Sequence, residues 1–433
     1  MSIQSFTLQN YRSFVDRTHI ELRPLTLLFG YNNTGKSVLL RALPLIADSL
    51  RGQSTTPIAL NCPAVRESHF ADLLSYLTDS SELDLELALD NLKLPRIKWA
   101  LRDVQLQKPV KFQTHLISHF AALTKMGIPK MNAQWVNSEW AEKSFKHLYD
   151  IQANDKLFEA QPIEFKGLLP SINWLQGDKS LYNQLMPTLN TLQNVANQIQ
   201  WLTSVRHTPL RYQPFKGAAI EKLEPDGKGA EEILVYDSLT EKTILSQVSS
   251  WYEKHLKQRL VVQSGDTFKG DLFSIRFESL KNIGNYPVNL VDVGEGIIQV
   301  LPVLVACGIA SEGQIKILAI EEPESHLHPQ LHAPLAAHFC ELARQPNPPK
   351  VLLETHSENF LLRVQLEIAQ QKLDPELVNI YWVHQRDDEC SVAEQVTLDD
   401  FARPQGEWPR KTVFCEDIAL SRQLIQARRE RSK

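Results

Sequence analysis

Apolar and polar positions change their period several times along this chain. Residues 3–8 alternate, and residues 19–29 end in the apolar run LTLLF, so two strands are expected before Gly30. From Gly35 onward Val38, Leu39, Leu40, Leu43, Ile46 and Leu50 recur at helical spacing, with Pro44 expected to kink that helix or end its regular part. LDLELAL, RIKWALRDVQLQ and VKFQTHL, within residues 83–117, alternate as antiparallel strands do. Residues 118–200 mix helical patches with Pro129, Pro162, Pro170 and Pro187 and read as a helical insertion or lid. After about residue 285 the pattern becomes strand and helix in turn. IKILAI (315–320), VLLE (351–354) and NIYWV (379–383) are strands; residues 331–344 and 360–371 are helices. Such repetition implies a parallel sheet covered on both faces and using both chain ends.

Composition narrows the class. A chain of 433 residues, 43% of them apolar, suits two or three packed lobes and excludes disorder and collagen. The division expected is an N-terminal lobe over 1–117, the insertion over 118–200 and a C-terminal lobe over 201–433. A net charge of −5 gives no global attraction to phosphate polyanions, so nucleic-acid binding would need a local basic patch. The five cysteines form no CxxC pair, which argues against a disulfide framework and fits a reducing cytoplasm. The first residues lack signal-peptide architecture, and the apolar stretch 297–310 is shorter than the roughly 20 residues of a membrane span, so no membrane association is expected.

Four segments carry chemistry. Gly30, Tyr31, Asn32, Asn33, Thr34, Gly35, Lys36 and Ser37 form a full G-x-x-x-x-G-K-S between a strand and a helix. The glycines let backbone amides curl around a phosphate, Lys36 reaches the β- and γ-phosphates, and Ser37 can ligate Mg²⁺. ILAIEEPESHLHP (317–329) delivers two carboxylates at a strand's carboxyl end: Glu321 to hold the metal and Glu322 to polarise the attacking water. His326 and His328 have a spacing that suits zinc, but Pro329 favours turn packing and helix capping. VLLETHSENFLL (351–362) places His356 at the same sheet edge, within reach of a γ-phosphate or its water. DVGEGIIQVLPVL (292–304) sets Gly294 and Gly296 before an apolar helix, a second anion site that suggests sharing across a dimer.

This order of motifs resembles the SMC/RecF-like branch of ABC ATPases, in particular the short, arm-less AAA-type ATPases of bacterial phage-defence and overcoming-lysogenization-defect-like systems. The segments FTLQNYRSF, PIALNCPAVRESHFADLL, SVRHTPLRYQPF and the C-terminal GEWPRKTVFCEDIALSRQLI are similar to that group, whereas 118–200 is poorly covered. The resemblance implies an α/β ABC-type ATPase head with a mixed sheet, an antiparallel β subdomain and the insertion. It implies ATP and Mg²⁺ as ligands, with residues 30–37 and Val38 as Walker A, Glu321 ending Walker B, Glu322 as catalytic glutamate, residues 294–299 as the signature and His356 as the switch histidine. Arg12 matches a position near nucleotide in such ATPases. Two departures are Glu321 in place of the commoner Asp and Ile298 in place of the usual Ser, whose hydroxyl is expected on the partner's γ-phosphate. From the second, either slow hydrolysis or a dimer closure resting on the glycine amides alone is expected. No Q-loop glutamine is placed, Gln53 being a poor candidate.

Two heads closing over ATP in a homodimer or higher even oligomer, and reopening on hydrolysis, are the expected mechanism. Asp387, Asp388, Asp399 and Asp400 read as solvated turns, so no built-in nuclease is expected, and a separate nuclease or toxin would be the effector. The rivals are a DNA-repair or chromosome-associated ATPase binding nucleic acid through Arg206, Arg211, Lys216 and the basic C-terminal tail, and a non-hydrolysing ATP-locked scaffold.

Overall fold

The computed structural model describes residues 2–52, 54, 56–106, 112–141, 144–154, 156–171, 179–214, 217, 219–264, 272–281 and 286–405. Strands β1 (Ile3–Gln9), β2 (Thr18–Glu21) and β3 (Leu25–Phe29) precede helix α1 (Lys36–Leu50). There follow β4 (Glu82–Leu89), β5 (Arg96–Leu106), β6 (Phe112–Leu123), β7 (Pro129–Ala141), β8 (Ser144–Ala153), β9 (Lys156–Pro162), the small hairpin β10 (Phe165–Lys166) and β11 (Leu169–Pro170), and α2 (Lys179–Ala196). Then come β12 (Ile199–Leu202), β13 (Gln213–Pro214), α3 (Ala230–Leu239), α4 (Thr243–Leu256), β14 (Gln258–Ser264), β15 (Leu272–Ser279) and β16 (Val288–Asn289). The remainder is α5 (Glu295–Ser311), β17 (Ile317–Glu321), α6 (His332–Ala343), β18 (Lys350–Thr355), α7 (Glu358–Ala369), β19 (Val378–Gln385), β20 (Ser391–Leu398) and β21 (Pro404–Gln405).

A seven-stranded sheet in the order β12-β17-β18-β3-β19-β20-β21 is parallel from β12 to β19 and antiparallel beyond. The N-terminal strand β3 therefore lies between two strands from the other end of the chain. Its residues alternate between two cores: Leu28 faces one, while Leu25, Leu27 and Phe29 face the other. Ile317 and Ala319 likewise part from Leu318 and Ile320, as Leu352 does from Val351 and Leu353. Helix α1 covers the first face; α5, α6 and α7 cover the second. Burial on both faces is why these strands read as unbroken apolar runs.

Antiparallel strands β2-β1-β4-β5-β6-β7-β8-β9 form an eight-stranded sheet in the first core, and β13, β15 and β14, with β16 on β15, form a smaller one. Residues 118–200 depart from the helical expectation: four strands occupy most of the first half, and among the described residues only α2 is a long helix. The cause is a period of two. Met131 and Ala133 are buried around Asn132, and Tyr149, Ile151 and Ala153 around Asp150 and Gln152. Pro129 opens β7 and Pro162 closes β9, positions where a missing N–H breaks no interior ladder. Helix α1 runs past Pro44 to Leu50. Among the described residues no helix is long and apolar enough to cross a membrane, and Cys62, Cys307, Cys340 and Cys390 are free and buried.

Trp99 on β5 is fully buried, and its Nε1 donates to the Leu168 carbonyl at 2.8 Å, pinning the small hairpin to the large sheet. Trp99→Ala should cost about 3–5 kcal/mol, combining a cavity with an orphaned carbonyl, and should lower the midpoint of guanidinium unfolding.

Candidate functional site

Strand register builds the site. Glu321 pairs with Glu354, and Thr355 with Phe29, so the carboxyl ends of β17, β18 and β3 finish at one level. The loop from Gly30 to α1 leaves from that edge. Its two glycines are sterically required: a Cβ on Gly30 would strike the Val383 carbonyl, and one on Gly35, at φ +99°, would lie 2.8 Å from the Phe14 ring. Asn32 and Asn33 are exposed, with Asn33 at φ 64°, while Thr34 folds back to donate to the Tyr31 carbonyl at 2.9 Å. Helix α1 begins with no side-chain cap, so its first amides stay free for an anion. Lys36 is buried and donates to the Tyr31 carbonyl; burial pulls its ammonium below the usual range, opposed by Glu354 and Glu322. Val38 packs against the first core.

The two tandem glutamates have different fates. Glu321 is 2% exposed and receives Arg41 through both oxygens, Nε and Nη2 each at 2.6 Å, with Trp201 Nε1 adding a bond at 3.0 Å. Its side-chain hydrogen bonds go to Arg41 and Trp201 and not to Ser37. Glu322 sits at φ 41°, its amide donating to the Glu354 carbonyl at 2.9 Å and its side chain half-buried; burial, then Glu324, raise its carboxyl above the usual range. The carboxylate beside Ser37 is Glu354, which sequence reasoning passed over. Ser37 Oγ donates to its Oε1 at 2.8 Å, while Oε2 is buried with no partner. Burial pushes Glu354 up to about 7 against the opposing Ser37 hydroxyl. The signal in the sequence was a lone acid closing the buried run VLL. A hydroxyl next to a buried, half-satisfied carboxylate fits Mg²⁺, a hard cation that takes oxygen ligands.

His356 completes the cluster. Its Nε2 is 3.8 Å from Glu322 Oε1, and burial pulls the imidazole down to about 4, so it is neutral near pH 7. Glu324 ties the two strand ends together by accepting from Thr355 Oγ1 at 2.6 Å and from the His356 amide at 3.1 Å. The expected residues Lys36, Ser37, Glu322 and His356 thus meet at one edge, joined by Glu354.

Other expectations land elsewhere. Gly294 is exposed with nothing within 4 Å of a Cβ, whereas a Cβ on Gly296 would meet the His326 carbonyl at 2.5 Å. Ile298 faces the second core at 6% exposure, so its side chain points away from the open turn. Arg206, expected in a basic set for nucleic acid, is buried instead. Its guanidinium donates to the carbonyls of Glu321 at 2.9 Å and Glu322 at 3.2 Å, and Gln299 Nε2 donates to the Arg206 carbonyl at 3.3 Å. Arg211 is engaged by Asp292 at 2.5 and 2.8 Å; Lys216, Gln53 and the basic tail lie outside the described residues. Arg12 lies in a turn at φ 53°, next to Ser13 and Phe14, which pack on Gly35. His328 caps the following turn by accepting from the Gln330 amide. Asp388 and Asp399 likewise accept turn amides, at 3.0 Å from Cys390 and at 2.9 and 2.8 Å from Phe401 and Arg403.

The AAA ATPase domain family matches residues 1–361. Among curated proteins none matches the sequence. Similar solved structures include an Smc head bound to the C-winged helix domain of ScpA, at 13% identity, covering 92% of this chain and 99% of that one, TM-score 0.47. An Smc head domain with an extended coiled coil, bound to the C-terminal domain of ScpA from Pyrococcus furiosus, matches at 12% identity, covering 92% and 96%, TM-score 0.47. The SMC head domain from Thermotoga maritima matches at 10% identity, covering 92% and 100%, TM-score 0.43.

Glu354 binds its proton more tightly folded than unfolded, so its contribution to stability falls as pH rises from about 4.5 to about 7. His356, held near 4, has the opposite slope. The difference in melting temperature between the parent and Glu354→Gln isolates the first: the parent should lose ground to the variant across that window.

Proposed function

The chain belongs to the AAA ATPase domain family, and on that premise we propose that it binds ATP at residues 30–37 and hydrolyses it at the sheet edge. The observation that carries this is the convergence of Lys36, Ser37, Glu354, Glu322 and His356 on aligned strand ends. Lys36 and the amides at the start of α1 hold the phosphates. Ser37 and Glu354 are the groups that would hold Mg²⁺, which adds positive charge beside the transferring phosphoryl group. Glu322, the most accessible carboxylate of the set, orients and deprotonates the attacking water. His356, neutral and between Glu322 and the phosphate loop, donates or accepts a hydrogen bond according to the nucleotide's state. Glu321 keeps the strand end in place through Arg41.

The open Gly294, capping the start of α5, supports closure of two copies over nucleotide, each offering the first amides of that helix to the other's γ-phosphate. With Ile298 in the core, that contact rests on backbone alone. The likeness of the N-terminal and mid-chain segments to phage-defence ATPases supports a cytoplasmic sensor or regulator that gates a separate effector, a nuclease or toxin.

Lys36→Ala should abolish ATP binding, measured with a fluorescent nucleotide analogue. Glu322→Gln should retain binding, lose about 10²–10⁴-fold in phosphate release and accumulate as a nucleotide-bound dimer by light scattering. Parental turnover in Glu322→Gln would show that another group activates the water.

A further inference from the structure

Glu322, Glu354 and His356 each offer one ligand atom, and these three atoms lie within 4.8 Å of one another. Lys36 acts electrostatically on both carboxylates and Arg206 on Glu322, but among the described residues neither cation forms an ion pair with them. Arg41 is spent on Glu321, and Lys36 donates its hydrogen bond to the Tyr31 carbonyl. Glu354 is only 3% exposed, yet its Oε2 has no donor at all. A carboxylate oxygen buried in that way is costly unless it takes up a proton or a cation comes to it.

We propose that Glu322, Glu354 and His356 bind a first-row transition dication directly, in the absence of nucleotide and in preference to magnesium. Two carboxylates and an imidazole make a mixed oxygen and nitrogen set; magnesium favours oxygen alone, whereas imidazole adds affinity for the transition dications. Around an octahedral ion with bonds of about 2.1 Å, ligand atoms lie roughly 3 Å apart when adjacent and about 4.2 Å when opposite. The cluster needs only a small contraction to reach that, and Glu322, whose side chain is 38% exposed, is free to make it. Lys36 opposes the ion electrostatically, since its ammonium interacts with both glutamates. The ligands are residues assigned above to ATP hydrolysis, but the ion does not need nucleotide.

The test is titration of the nucleotide-free full chain with MnCl₂, following the electron paramagnetic resonance signal of the free ion. One Mn²⁺ per chain is expected, with MgCl₂ displacing it only at a concentration at least about 10-fold higher. Glu354→Gln should weaken the ion by at least about 10-fold, and His356→Ala should erode the preference over Mg²⁺. Lys36→Ala, the variant that should lose ATP, should keep Mn²⁺ or bind it more tightly. Absence of retained Mn²⁺ in the parent, parental affinity in Glu354→Gln, or joint loss of Mn²⁺ and ATP in Lys36→Ala would overturn the proposal. If Glu354→Gln fails to fold by circular dichroism, His356→Ala decides, and an unchanged Mn²⁺ to Mg²⁺ preference overturns it. Because no nucleotide enters the titration, its failure leaves the ATP reading standing, and a parent that retains Mn²⁺ but ignores ATP separates the two in the other direction.

Discussion

Two glutamates face each other across the β17–β18 ladder, and the Arg41 guanidinium is what makes that tolerable. Unpaired buried carboxylates at that separation would repel and would tend to take up protons. Arg41 reaches up from the second turn of α1 and grips Glu321 with two parallel bonds, the bidentate geometry that only arginine offers, while lying 5.8 Å over the Trp201 ring. The helix that starts in the glycine loop is thereby anchored to the end of the strand that leads into Glu322. Removing one partner of such a pair leaves a buried charge uncompensated, so the pair fixes geometry more than it adds stability.

With Glu321 spoken for, the remaining charge falls to Glu354 and Glu322, and the division of labour between tandem acids follows. Adjacent residues at a strand end point apart; Glu321 turns into the protein and Glu322, at φ 41°, turns out towards the loop. Arg206 supports this from behind by holding both of their carbonyls, and Gln299 on α5 holds the Arg206 carbonyl in turn. Gly294 and the first turn of α5 are thus linked to Glu322 through one buried arginine and the glutamate backbone. Gly296 adds a direct contact by packing on the His326 carbonyl.

Much of this was legible in residue order. The apolar runs LTLLF, ILAI and VLLE announced strands buried on both faces, and the glycines after Phe29 announced the tight loop into α1, because both signals are local. What failed was non-local or diluted. The strands β7 and β8 carry a period of two, as in Met131 and Ala133, but β9 is solvent-exposed along nearly its whole length and shows no apolar face, so the segment read as a helical insertion or lid. Glu354 escaped notice because its meaning depends on Ser37, more than three hundred residues away in sequence. Arg206 looked like a surface cation because charge alone says nothing of burial, and its partners are main-chain carbonyls that no motif encodes.

The position of β3 between β18 and β19 sets an order of events during synthesis on the ribosome. The phosphate loop emerges early, but the strands that flank it follow roughly 300 residues later, about 15–60 s at about 5–20 residues per second. Until then Leu25, Leu27 and Phe29 have no ladder on either side, and the nascent segment is a natural client for chaperones that shield unpaired strands. Glu322, Glu354 and His356 all lie beyond residue 320, so the cluster beside the glycine loop cannot assemble until that part of the chain has emerged, and a product truncated before it would leave an apolar strand exposed.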